Sequence, residues 1–181
     1  MEKIDIVIIG AGIAGIASAY YLQKKFPNIK YKILESRNNV GGTWDQMRFP
    51  GVRADNDMYT YGFSYYPWKG SIIGNGEEIR NYLNEVTDKF NIKKNVLFNT
   101  EVKSLSWKDN KWIIKTNDKN FSSQYVICCT GSRDRKNPHL PKFENEKIYQ
   151  GKIVHTQAWG NTDFKDKDVT IVGSGCTAIT M

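Results

Sequence analysis

The chain opens on an almost unbroken β-branched run, Ile4-Asp5-Ile6-Val7-Ile8-Ile9, which stops abruptly at Gly10-Ala11-Gly12. A run this short and this branched predicts a buried parallel strand rather than a helix. From Ile13 to Phe26 the residues favour helix, and Pro27 ends it because it brings no backbone N–H. Tyr31–Glu35 predicts a second strand. Ile79, Tyr82, Leu83, Val86 and Phe90 share one face of an amphipathic helix, with Glu77 and Glu78 in its first turn, where they suit the dipole. Short alternating runs predict strands at Val96–Phe98, Val102–Trp107 and Trp112–Lys115. The last two are joined by a turn at Lys108-Asp109-Asn110-Lys111, forming a small antiparallel insertion. Tyr125–Cys129 predicts a buried strand and Asp168–Val172 a further strand. Tyr59, Tyr61, Phe63 and Tyr65 recur at every second position beside Tyr66 and Trp68; such a stripe could line a flat ring, but core is the leading reading.

The first strand gives way to Gly10, Gly12 and Gly15 at the spacing G-x-G-x-x-G. In that arrangement the first glycine permits a tight turn, the second lets backbone approach a pyrophosphate, and the third lets helix pack close to strand. The helix then starts with free amides and its positive dipole end aimed at phosphates. Glu35 ends the second strand twenty residues after Gly15, the separation expected of a carboxylate that holds a ribose. Strand, glycines, helix and acid in register predict a Rossmann-like dinucleotide site in an α/β domain.

Composition adds limits. A 40% hydrophobic and 25% charged chain can bury a sizeable core. No apolar run approaches the roughly 20 residues of a membrane span, and Met1-Glu2-Lys3 followed by a strand does not form a signal peptide, so a cytoplasmic location is expected. The net charge of +7 comes from scattered lysines (Lys24, Lys93, Lys142, Lys165), which predicts a solvated basic surface and no nucleic-acid partner. Cys128 and Cys129 are adjacent on one strand and so point to opposite faces; with Cys176 and two histidines they offer no metal-ligand spacing.

The connection after Glu35 is long and carries Gly41-Gly42-Thr43-Trp44, Pro50-Gly51 and alternating charges, chemistry suited to close contact with a ligand. Gly131 follows the Tyr125–Cys129 strand and stands at the mouth where parallel sheets bind ligands. Ser132–Phe143, with Asn137-Pro138 and Leu140-Pro141, reads as an exit linker. His155 taken alone reads as structural. Asp168–Val172 runs into Gly173-Ser174-Gly175-Cys176-Thr177-Ala178, a second G-x-G-x-x-[GA] turn. Two such turns imply two dinucleotides, and for hydride chemistry the economical pair is a flavin and a nicotinamide. The second unit ends about two turns into its helix, so it is expected to be incomplete. The domain reading is 1–143 for the flavin domain, and 144–181 for the linker and truncated start of the nicotinamide domain.

Tyr149, Gly151, His155, Trp159 and Gly160 resemble the motif F-x-G-x-x-x-H-x-x-x-W-[PD] of class B flavoprotein monooxygenases, with Gly160 where that pattern has Pro or Asp. Gly41-Gly42-Thr43-Trp44 and Phe49-Pro50-Gly51-Val52-Arg53-Ala54-Asp55-Asn56-Asp57-Met58-Tyr59 are similar to the Baeyer–Villiger branch, especially its ethionamide-activating type. The resemblance covers nearly the whole chain as the N-terminal portion of such a protein. It implies an FAD-binding Rossmann-like domain and the start of an NADPH domain. It implies that Gly10, Gly12, Ala14, Gly15 and Glu35 hold the adenosine half of FAD, with Gly42, Thr43, Trp44, Asp45 and Gln46 along the flavin side. Asp55, as catalytic residue, and Tyr61 are implied near the isoalloxazine, Val102 near the adenine, and Gly131 at the cleft. Arg53, Ala54 and Asp55 border the nicotinamide, and Gly173, Ser174, Gly175, Thr177 and Ala178 begin the NADPH site. His155 and Trp159 are implied as hinge and cofactor-positioning residues. The implied reaction uses NADPH and O2 to transfer one oxygen atom, through a flavin peroxide, to a small organic ketone, thioether or amine. The other readings are an FAD-binding NADPH oxidoreductase without oxygenation and a non-catalytic truncated FAD-binding module.

Overall fold

The computed structural model describes residues 1–132 and 137–181; residues 133–136 of the expected linker lie outside the described residues. Six strands form one sheet in the order β3-β2-β1-β6-β5-β4. They are β1 (Glu2–Ile9), β2 (Tyr31–Leu34), β3 (Val96–Leu97), β4 (Val102–Lys108), β5 (Lys111–Thr116) and β6 (Asn120–Cys128). β1 pairs in parallel with both β2 and β6, and β2 with β3. The β4–β5 pair and the β5–β6 pair are antiparallel. The expected antiparallel insertion is thus a continuation of the same sheet, because the long β6 gives its first residues to β5 and its whole length to β1. The turn between β4 and β5 places Asp109 (φ 50°) and Asn110 (φ 58°) in the left-handed region, a tight hairpin geometry in which these short polar side chains are tolerated.

β1 is central, and its alternate side chains serve opposite faces. Ile6 and Ile8 join Ile33, Ile16 and Ala19 on one face, and Val7 and Ile9 join Leu34, Ile114 and Phe121 on the other. Helix α1 (Ile13–Lys25) lies over β1 and β2. The four-residue helices α2 (Thr43–Gln46) and α3 (Met58–Tyr61) punctuate the connection that follows. Helix α4 (Gly76–Lys89) buries Ile79, Tyr82, Leu83 and Val86 as its periodicity predicts. Its start is fixed more firmly than the acidic first turn alone suggested. Asn75 and Glu78 form a reciprocal capping box that satisfies amides otherwise orphaned at a helix end. Helix α5 (Cys176–Thr180) is the last element.

Three expectations are corrected. The aromatic stripe does not run as a period-two element: the Asp57 side chain accepts the amides of Tyr59 and Thr60 and nucleates α3, leaving Tyr59 and Tyr61 exposed. Only its second half is core, where Phe63 and Trp68 are buried and Tyr65 stacks between Tyr20 and Phe63. The expected buried strand at 125–129 is the last part of β6, which ends at Cys128, and none of its residues is buried; Tyr125 is 62% exposed, because α1 packs over β1 and β2 and leaves that position open. Asp168–Val172 enters no ladder among the described residues, and its side chains are exposed.

Candidate functional site: a glycine-lined cleft at the ends of the parallel strands

At the carboxyl ends of β1, β2 and β6 the three glycines of the first turn do three separable things. Gly10 has φ +100°, and a Cβ there would stand 2.5 Å from the Cys129 carbonyl oxygen, so both backbone conformation and the approach of β6 require glycine. A Cβ on Gly15 would stand 1.9 Å from the Gly10 carbonyl oxygen, so the seating of α1 on the turn requires glycine there. Gly12 is different. Its φ of −78° suits any residue, and a Cβ would make only an ordinary 3.6 Å contact with Gly42 Cα. Neither strain nor packing among the described residues demands glycine at position 12. Its bare face opens where α1 begins without a side-chain cap and without an acidic residue in its first turn. Uncapped amides and the positive end of a 13-residue helix suit an anion.

Glu35 lies at the floor of this turn, 5% exposed. Its Oε2 accepts the Ala11 N–H at 2.7 Å, and its Oε1 accepts the Arg37 N–H at 2.9 Å and the Ser36 hydroxyl at 3.3 Å. A carboxylate has about four acceptor sites, so these bonds leave capacity for a ligand hydroxyl. The backbone packs several segments around the acid. The Gly10 amide donates to the Leu34 carbonyl, the Gly41 amide to the Ala11 carbonyl, and the Thr100 amide to the Glu35 carbonyl. Gly42 therefore faces Gly12, and the segment leading into Val102 runs beside Glu35. Gly131, two residues beyond Cys129, has φ +81°. Ala14 is exposed on the first turn of α1.

On the far side, Trp44 Nε1 donates to the Tyr61 hydroxyl at 3.1 Å, and Thr43 is exposed. Gln46 is half-buried at the end of α2. Asp45 is 3% exposed, and its carboxylate is held by Arg37 and Arg48, each at 2.8 Å. Ala54 is buried, its amide donating to the Gly74 carbonyl, while Arg53 and Asp55 are exposed. Arg53 lines a separate cleft of about 440 Å³ with Arg48, Arg80 and Thr180.

The second glycine turn repeats the backbone of the first. Gly175 caps α5 with φ −77° and ψ 174°, against −78° and −173° for Gly12 at the start of α1, and Gly173 has φ +130° where Gly10 has +100°. This turn is placed against the flavin-side loop by two contacts. The Cys176 thiol, bonded to the Asp55 carboxylate, is raised above its usual pKa by that bond and by the negative charge. A Cβ on Gly51 would stand 2.0 Å from the Thr180 carbonyl oxygen, so the two segments touch backbone to backbone. Ser174 is exposed, and Thr177 and Ala178 are half-buried. His155 and Trp159 are not on the first cleft. His155 Nδ1 accepts the Gln157 N–H, and Trp159 packs with Met47 and Phe49 beneath the same loop. Sequence reasoning missed Arg37, Arg48 and Arg80; the alternating charges of the loop were the available signal, without a hint of their common target.

Among the described residues, no helix is long and apolar enough to cross a membrane, and no group of His, Cys, Asp or Glu could hold a metal ion.

A family described as pyridine nucleotide-disulphide oxidoreductase matches residues 7–181. The probable FAD-binding monooxygenase AlmA of an Acinetobacter species is 40% identical over 100% of this chain and 38% of its own length. The FAD-containing monooxygenase EthA of Mycolicibacterium smegmatis is 37% identical over 99% of this chain and 38% of its own. The chain thus spans well under half of the curated relatives it matches. Among solved structures, an oxidized steroid monooxygenase bound to NADP superposes with a TM-score of 0.85 at 28% identity, over 98% of this chain and 36% of that one. A closed crystal structure of cyclohexanone monooxygenase gives 0.84 at 27%, over 98% and 35%.

Proposed function

The chain belongs to the pyridine nucleotide-disulphide oxidoreductase family, and on that footing we propose that it is the N-terminal portion of a class B flavoprotein monooxygenase that uses FAD and NADPH. Residues 1–143 form the FAD-binding part, and residues 144–181 the linker and the opening of the NADPH-binding part. The observation that carries this reading is Gly12, a glycine that the fold itself does not need, set at an uncapped helix start above a buried ribose-binding acid.

In this reading the Gly10–Gly15 turn and the first amides of α1 bind the pyrophosphate of FAD, with Ala14 beside them, and Glu35 accepts from the adenosine ribose. Gly42, Thr43, Trp44 and Gln46 border the flavin, Val102 and Gly131 the adenosine side of the cleft. Asp55 is the catalytic group, positioned near the flavin, with Tyr61 close by. Arg53 and Ala54 adjoin the nicotinamide, and Gly173, Ser174, Gly175, Thr177 and Ala178 begin the NADPH site. His155 and Trp159 support the cofactor loop from below. When bound, FAD would carry two electrons from NADPH to O2, so that one oxygen atom goes to a small organic ketone, thioether or amine and the other leaves as water. A cytoplasmic location belongs to the same reading.

A second reading, an FAD-binding NADPH oxidoreductase without oxygenation, draws support from the breadth of the family that matches. The two readings part when the complete protein is given NADPH, ¹⁸O₂ and either a ketone or a thioether. One ¹⁸O atom per product molecule supports oxygenation. NADPH consumption with hydrogen peroxide as the sole oxygen product supports the oxidoreductase.

A further inference from the structure

Helix α2 is too short to hold itself in water, where nucleation outweighs a single turn of hydrogen bonds. Its last carbonyls have no partners within it, and guanidinium groups from three separate segments supply them. Arg48 Nε donates to the Asp45 carbonyl at 2.8 Å and Arg37 Nη2 to the same oxygen at 3.4 Å, while Arg80 Nη1, from α4, donates to the Trp44 carbonyl at 3.3 Å. Cations at this end also complement the helix dipole. Within this cage the buried Asp45 carboxylate accepts Arg37 Nε on Oδ2 and Arg48 Nη2 on Oδ1. Arg37 is in turn tied by its backbone N–H to Glu35, and Glu35 to the Ala11 amide. An uninterrupted chain of charged contacts therefore joins the first glycine turn to the flavin-side helix, through Glu35, Arg37, Asp45 and Arg48.

We propose that Asp45 is a positioning residue for the FAD site, acting through Arg37 and Arg48 to set α2 and Trp44 at a fixed distance from Gly12 and Glu35, without touching the cofactor. Both carboxylate oxygens are engaged by guanidinium groups in a buried setting, so the partners that Asp45 orders directly are Arg37 and Arg48. A carboxylate is needed because it accepts from both arginines at once; an amide offers one acceptor oxygen and turns a donor towards the second guanidinium. The proposal rests on the FAD reading given above, and its test separates the two.

The test is FAD titration of the apoprotein, followed by flavin fluorescence and by the visible circular dichroism of the bound flavin, with the thermal midpoint of the apoprotein measured alongside. Asp45→Asn is expected to weaken FAD binding about 10–100-fold and to change the dichroism of the flavin, a signature that loss of stability alone does not move. Arg37→Gln is expected to act in the same direction, and adding it to Asp45→Asn to cost little more, because both break one linkage. Asp45→Asn that binds FAD with the original affinity and dichroism, but melts lower, overturns the proposal and leaves the FAD reading standing. If Asp45→Asn does not fold, Arg37→Gln and Arg48→Gln each remove one arm only, and original affinity in both overturns the proposal equally. Failure of the unmodified protein to bind FAD overturns the underlying reading, and this proposal with it.

Discussion

The Glu35 carboxylate and the Ala11 amide meet at 2.7 Å, which ties the acid at the end of β2 to the centre of the first glycine turn. Because the other carboxylate oxygen accepts from Arg37 and Ser36, Glu35 is surrounded by donors on both sides. An amide in its place turns an NH₂ group against one of those donors. Glu35→Gln is therefore expected to destabilise the fold by about 1–3 kcal/mol, the cost of a charged hydrogen bond lost in a buried site. It is also expected to weaken FAD binding. Denaturant unfolding and FAD titration of the same preparation check both, and an unchanged midpoint contradicts the first.

The three glycines of the first turn are expected to separate folding from binding. Gly10→Ala and Gly15→Ala force Cβ atoms to 2.5 Å and 1.9 Å from carbonyl oxygens, so both are expected to unfold or strongly destabilise the protein. Gly12→Ala meets only an ordinary contact and is expected to keep the stability of the apoprotein within about 0.5–1 kcal/mol of the original. Comparable destabilisation by all three, measured by thermal unfolding without ligand, contradicts the assignment of Gly12 to a ligand.

Tyr65 offers a test of the aromatic layer. Its ring is stacked between Tyr20 and Phe63, and its hydroxyl is buried without a hydrogen-bond partner among the described residues. Such a hydroxyl costs about 1–3 kcal/mol, so Tyr65→Phe is expected to stabilise the protein. Burial, reinforced by neighbouring Tyr82, Tyr21 and Tyr20, holds the Tyr65 phenol well above its usual pKa. A raised folded-state pKa means that the folded chain holds this proton more tightly than the unfolded one. The stability so gained is complete below about pH 10 and is lost as pH rises beyond it. Melting curves taken from about pH 8 to 11 are expected to fall less steeply for Tyr65→Phe than for the original.

Trp159 joins Met47 and Phe49 in a small buried cluster flanked by Val52, Val154 and Phe164, and so fastens the segment after the linker to the loop after α2. Trp159→Ala removes the centre of that cluster, at a cost of up to about 3–5 kcal/mol in local opening. Limited proteolysis between residues 150 and 164 is the measurement, with faster cleavage expected. An unchanged rate indicates that the segment is held elsewhere.

Much of the fold was legible because its strands are read from burial on one or both faces. The Ile4–Ile9 run, the Tyr31–Glu35 strand and the stripe of Ile79, Tyr82, Leu83 and Val86 each carry their period in the side chains. The glycine turn and Glu35 were legible for the same reason: their spacing is local. What was not legible depends on partners remote in sequence. Tyr59 and Tyr61 alternate like a strand, but one Asp57 cap converts that stretch to a helical turn. Asp168–Val172 has strand composition, yet a strand is stabilised by a neighbour, and none pairs with it among the described residues. Asp45 reads as a loop acid beside a flavin motif. Its place in an arginine clamp depends on Arg37 and Arg48 reaching it from opposite sides in the chain, with Arg80 of α4 on the neighbouring Trp44 carbonyl, which no local pattern records.

The central claim, that Gly10–Gly15 and Glu35 form an FAD site, is tested most directly by equilibrium titration of the apoprotein with FAD and FMN, for the original chain and for Gly12→Val. The original is expected to bind FAD and to discriminate against FMN, which lacks the adenosine that Glu35 and α1 recognise. Gly12→Val is expected to remain colourless in the presence of FAD, because its side chain fills the face on which the pyrophosphate rests. Equal affinity for FMN, or a yellow, FAD-loaded Gly12→Val protein, contradicts the account.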